Sequence, residues 1–102
     1  MEKNKSIVWT EIAFQEYEET IDWLLRNWPL KIAISFSDLV DQKVLSIKHN
    51  PYLGSESRYL QDCRKIWVPP YHILFYKVNP ASIEIIRFFD GRQNPEKLKS
   101  EF

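Results

Sequence analysis

The chain predicts an α+β domain in the order strand, helix, helix, then a run of strands. Three observations carry this: a short β-branched N-terminus, two long segments with apolar residues spaced by three and four, and a C-terminal half dense in Ile, Val, Phe and Tyr broken by proline turns. Ser6-Ile-Val-Trp9 reads as the first strand, and Thr10 offers a hydroxyl to cap the helix that follows, with Glu11 at the positive end of its dipole. From Ala13 onward, Phe14, Tyr17, Ile21, Leu24, Leu25 and Trp28 are expected to form one helical face, opposite Glu16, Glu18, Glu19, Asp22 and Arg26. Pro29 breaks the pattern and suits the first turn of a second helix, where its missing N–H would have no partner. That helix is expected to reach about His49 on the apolar positions Ile32, Phe36, Leu39, Val40, Leu45 and Ile47. The short connection and matched lengths imply an antiparallel hairpin.

Asn50-Pro51-Tyr-Leu-Gly54 is a stop-and-turn signal, with Gly54 available for a positive φ. Strands are then expected at Cys63–Val68, Tyr71–Val78 and Ser82–Phe89, joined by Pro69-Pro70 and Asn79-Pro80-Ala81. With the N-terminal strand this makes a mainly antiparallel sheet of about four strands, on which the hairpin packs. Strict alternation would put Ile83, Ile85 and Phe89 on one side of the last strand, and Ile86 and Phe88 on the other. Both sides are apolar, so the face away from the helices needs a cover: either a partner chain or the protein's own loops and tail.

The 102 residues read as a single domain over 1–102, with a short tail from about 93–102. Cys63 is the only cysteine, which excludes an internal disulfide, and no signal-peptide run opens the chain, so a reducing cytoplasm is expected. No apolar run approaches the ~20 residues of a membrane span. The zero formal charge conceals an asymmetry: residues 1–57 carry 6 basic and 9 acidic side chains, and residues 58–102 carry 8 and 5. A basic C-terminal half suits phosphate or an acidic protein. Neither a glycine-rich phosphate loop nor a metal-ligand cluster is evident, and no cofactor is expected.

Several pieces then share an order: Trp9-Thr10-x-x-Ala13, Pro51-x-x-Gly54, Arg64-Lys65-Ile66, Tyr71-His72-Ile73-Leu74-Phe75, and Ile85-Ile86-Arg87 through Gly91-Arg92-Gln93-Asn94-Pro95. In this order and spacing, from about Ser6 to Pro95, the chain resembles the RelE/ParE family of bacterial toxins from type II toxin–antitoxin pairs. The resemblance implies a helix hairpin on a mainly antiparallel sheet, and a cognate antitoxin that wraps the toxin. It further implies growth arrest by one of two routes, inhibition of DNA gyrase or ribosome-dependent mRNA cleavage. An inactive relative that binds antitoxin or regulates its operon is the alternative function; an unrelated α+β domain dimerising through its sheet is a third.

Metal-free RNA cleavage needs a base for the 2′-OH, a cation for the phosphorane and an acid for the leaving oxygen. His72 is the strand residue that titrates near neutrality, and Arg64, Arg87 and Arg92 are the candidate cations. His72 is read either as that base or as a strand histidine hydrogen-bonded at the sheet face or partner interface. It stands where the family more often has Arg, and Asp90 stands where many members carry a His. Arg64, Trp67, Tyr76, Arg87 and Phe88 are the expected antitoxin contacts.

Overall fold

The computed structural model describes residues 5–100. Strand β1 (Ser6–Trp9) leads into helices α1 (Glu11–Asn27) and α2 (Leu30–His49). Strands β2 (Ser55–Glu56), β3 (Arg64–Val68), β4 (His72–Val78) and β5 (Ser82–Asp90) follow, and helix α3 (Glu96–Ser100) closes the order. The sheet has five strands in the order β1-β5-β4-β3-β2, with β1 parallel to β5 and the other neighbours antiparallel. Two elements exceed the expectation: the two-residue β2, too short to leave an alternating pattern, and α3, which lies where only a tail was expected.

Thr10 caps α1 as expected, its Oγ1 accepting from the Ala13 amide at 3.1 Å. The same hydroxyl donates to the Ile86 carbonyl at 3.0 Å, so the cap also ties the helix start to β5. Pro29 precedes α2 with φ −57° and no N–H to satisfy.

The principal core lies between the helices and one face of the sheet, where Ala13, Val40 and Ile47 meet Val68, Leu74, Tyr76, Ile83, Ile85 and Phe88. The helical apolar stripes only partly coincide with it. Phe14 and Leu25 on α1, Trp28 just past its end, and Ile32 and Leu45 on α2 are exposed, because both helices are apolar over a wider arc than one sheet face can cover.

The last strand departs from simple alternation. Between Phe75 and Tyr76 the register against β5 shifts from Phe75↔Arg87 to Tyr76↔Ile85, leaving Ile86 as a bulge residue. Phe88 therefore joins Ile83 and Ile85 on the helix side, while Phe89 joins Ile86 on the other, the reverse of the strict-parity expectation.

That other face is covered from within the chain. Phe75 and Phe89, with Ile73 and Ile86 beside them, pack under Leu60 and Cys63 from the loop before β3 and Leu98 from α3. Of the two covers considered, the loops and tail supply this one.

Gly54 is needed for space rather than for a left-handed turn, since no glycine here has a positive φ. A Cβ at Gly54 would lie 2.5 Å from the Lys65 carbonyl oxygen and 2.8 Å from the Tyr76 hydroxyl. The Tyr76 hydroxyl donates to the Pro51 carbonyl at 2.7 Å and accepts from the Gly54 amide at 2.9 Å, pinning the turn to the sheet.

Ile47 is fully buried and Leu45, two residues away on α2, is 54% exposed. Ile47→Ala should cost ~2–5 kcal/mol in urea unfolding, and Leu45→Ala under ~0.5 kcal/mol.

Candidate functional site

Strand β1 pairs with β5 only as far as Ile85, so the outer edge of β5 beyond that point needs other partners. Helix α1 provides them. The Thr10 amide donates to the Ile85 carbonyl at 3.0 Å, and Glu16 Oε1 accepts from the Phe88 amide at 2.8 Å. Glu16 also takes two bonds from Arg87 Nε, at 3.0 and 3.1 Å, and one from its Nη2. Arg87 is 3% exposed and Glu16 21%, so this charge pair is enclosed and shared between a side chain and the sheet backbone.

Next to it, His72 opens β4 opposite Asp90. Its ring stacks on Phe88 with centroids 4.7 Å apart and meets Phe36 edge-on at 5.7 Å. His72 Nε2 lies 3.2 Å from Thr20 Oγ1, and that hydroxyl lies 3.0 Å from the Glu16 carbonyl. A hydroxyl carries one hydrogen, so if it donates to the carbonyl it accepts from Nε2–H. The neutral ring then carries its proton on Nε2, and the basic nitrogen is Nδ1. Nδ1 is buried and has no hydrogen-bond partner among the described residues. Burial lowers the His72 pKa below its ordinary 6.5, opposed by Asp90 and reinforced by Arg92.

Asp90 is held by Arg92, whose amide and Nε reach Asp90 Oδ1 at 2.9 and 3.0 Å while Nη2 reaches Oδ2 at 2.7 Å. These bonds depress the Asp90 pKa below the usual carboxylate value against the opposing effect of burial. The Arg92 guanidinium also sits 4.1 Å from the centre of the Tyr71 ring.

These groups line a groove of about 870 Å³ between the helix hairpin and the ends of β4 and β5, walled by Trp23, Trp28, Phe36 and Tyr71. The structure thus gathers His72, Arg87, Phe88 and Arg92 from the expected set. Arg64 lies apart, its Nε donating to the Gly54 carbonyl at 2.8 Å and its guanidinium over Tyr52. Tyr76, Arg87 and Phe88, three of the expected antitoxin contacts, are interior, at 0%, 3% and 1% exposure, and present little surface to a partner. Trp67 is 60% exposed and lines a second hollow, of about 450 Å³, with Lys65, Tyr71 and Arg92. Glu16 and Thr20 were not among the sequence candidates; both sit on the polar side of the α1 pattern, which carries no mark of a charge partner 71 positions away.

The arrangement disfavours general acid–base chemistry at this groove. The basic nitrogen of His72 is enclosed, its other nitrogen is engaged, and Asp90 is held ionised rather than poised to give up a proton. Among the described residues no group of His, Cys, Asp and Glu is placed to hold a metal ion, and no helix is long and apolar enough to cross a membrane.

The profile of the ParE toxin family, "ParE toxin of type II toxin-antitoxin system, parDE", matches residues 7–95. The chain belongs to the ParE toxin family. Solved structures share its fold. One is the chromosomal ParDE toxin–antitoxin system from P. aeruginosa, with TM-score 0.72 and 17% identity over 85% of this chain and 96% of that one. Another is the YoeB dimer from Staphylococcus aureus, with TM-score 0.61 and 18% identity over 84% and 95%. A third is a YoeB/ParE toxin from Agrobacterium tumefaciens, with TM-score 0.62 and 14% identity over 83% and 96%. At these identities the likeness is one of fold. No curated protein matches the chain in sequence.

Two outcomes follow from the geometry. Glu16→Ala leaves the Arg87 charge and the Phe88 amide without their acceptor, and should cost about 3 kcal/mol in chemical unfolding. The lowered His72 pKa means that the unfolded chain binds its proton first. The stabilisation from keeping this ring neutral is therefore whole above pH 6.5 and is lost as pH falls from there toward the folded pKa. Urea midpoints measured from pH 7.5 down to 5 should fall for the parent, and fall less for His72→Gln. The depressed Asp90 pKa acts in the same sense at lower pH, below its ordinary 3.8.

Proposed function

We propose that this ParE-family toxin arrests growth by binding its target, DNA gyrase, rather than by cutting mRNA, and that a cognate antitoxin neutralises it. The observation that carries this reading is the enclosed state of His72, whose Nδ1 is buried and whose Nε2 is bonded to Thr20. A ribonuclease of this fold needs an exposed base beside an available cation. Here Arg87 is committed to Glu16, and Arg92 to Asp90. A protein that works by contact needs surface instead; of the expected contacts Trp67 is 60% exposed, and Arg92, one of the candidate cations, is 59% exposed beside it. We assign the hollow they line with Tyr71 to protein contact, either with the antitoxin or with the target.

The test is to induce the chain alone in bacteria while following DNA and protein synthesis, with gyrase supercoiling and cleavage of ribosome-bound mRNA assayed in parallel. Replication should stop before translation, supercoiling should be inhibited, and His72→Gln should retain toxicity. Cleavage of ribosome-bound mRNA that disappears in His72→Gln would overturn the proposal.

A further inference from the structure

The turn after β5 carries an anion-binding arrangement that the chain fills with one of its own side chains. The Gln93 amide donates to the Asp90 carbonyl at 3.0 Å, closing a tight turn that brings Arg92 back beside Asp90. Within this turn the Arg92 amide and Nε reach one oxygen of the Asp90 carboxylate, and Nη2 reaches the other. Such converging donors are the means by which an arginine fork holds either a carboxylate or a phosphate group. The fork lies at the surface, with the Tyr71 ring against it, and Arg92 and Tyr71 line both the large groove and the smaller hollow.

The charges around the fork decide what an open fork would meet. The smaller hollow contributes Lys65 and no acidic side chain. The groove is lined by three acidic residues, Glu16, Glu19 and Asp90, against three basic ones, Arg87, Arg92 and Lys97, so its lining is formally neutral only while Asp90 is ionised. Exposed Trp67 and Tyr71 beside two cations are a surface on which the bases of single-stranded nucleic acid stack while its phosphates are neutralised, whatever the sequence. A toxin that recognises a protein is diverted by such binding, because non-specific nucleic-acid sites are present in vast excess.

We propose that Asp90 is a specificity-determining residue that closes the Arg92 fork to phosphate and so keeps nucleic acid off this surface. The carboxylate occupies the fork as a tethered anion, at an effective concentration that a free phosphate group does not match, and its charge repels a second anion approaching the same donors. Its part in toxicity rests on the protein-contact reading above; the closure of the fork does not.

The test uses the whole chain, with inorganic phosphate and a single-stranded oligodeoxythymidylate of about ten nucleotides as probes, read by calorimetry and fluorescence anisotropy. Asp90→Asn removes the charge and keeps an oxygen for the Arg92 amide, so circular dichroism should be unchanged; Asp90→Ser, whose hydroxyl can also accept that amide, repeats the test. Both variants should bind the oligonucleotide at least about tenfold tighter than the parent, with phosphate competing. Their affinity should also fall more steeply with salt, by about 0.7 in the logarithmic slope, as one added phosphate contact requires. Arg92→Ala in the Asp90→Asn background should return affinity and slope to those of the parent. Glu19→Gln removes the same charge from the same groove without touching the fork, and should change binding far less. Equal binding by the parent and both Asp90 variants, a gain that survives Arg92→Ala, or an equal gain from Glu19→Gln would each overturn the proposal. So would parent binding of either probe that Arg92→Ala abolishes, since the fork would then already be open. None of these readouts involves gyrase, so their failure is separate from failure of the toxicity assay.

Discussion

The junction of the two layers depends on the Glu16 carboxylate. Strand β1 ends level with Ile85, and the rest of β5 would present an unpaired edge to solvent if α1 did not lie along it. Thr10 and Glu16 supply the missing acceptors and donors, and Glu16 simultaneously neutralises Arg87. An edge amide and a buried guanidinium are each costly to leave unmet, so one side chain meeting both fixes the helix at a definite height along the strand. The bulge at Ile86 belongs to the same solution. It changes the facing of the residues after it, placing Phe88 under the helices.

The groove beside that junction inherits its rigidity. His72 is clamped between Phe88 and Phe36 and bonded to Thr20, one helical turn along from Glu16. Arg92 closes the far end by folding onto Asp90 and Tyr71. Glu16 and Arg87, and Asp90 and Arg92, are matched to each other, which leaves these four groups little freedom for proton transfer. A scaffold does not by itself decide an activity, so the pairing of these polar groups is what bears on the choice.

Much of the architecture was legible because it follows local periodicity. Ser6–Trp9 matches its expected bounds, Thr10 is the cap, and the two helices end within a residue or two of the proline and asparagine signals. What escaped was non-local. The bulge at Ile86 depends on the partner strand, and nothing in Ile85-Ile86-Arg87 announces it. Glu16 looked like any wet-side glutamate, and only the fold brings it to Arg87. The expected site was legible in part: His72, Arg87 and Arg92 do share a groove, while Tyr76 and Phe88 went inside because a strand aromatic looks the same in sequence whether it faces a core or a partner.

Gly54 places a boundary on how this chain can drift in sequence. A clash with the Tyr76 hydroxyl could be relieved by shortening that side chain, but the nearer obstacle is the Lys65 carbonyl, which every residue at position 65 would present. No second substitution on the neighbouring strand removes a backbone oxygen, so compensation would require β2 to leave β3. Position 54 is therefore closed to paired change in a way that the side-chain contacts of the core are not, and a scan of all substitutions would find it intolerant even in a background stabilised elsewhere.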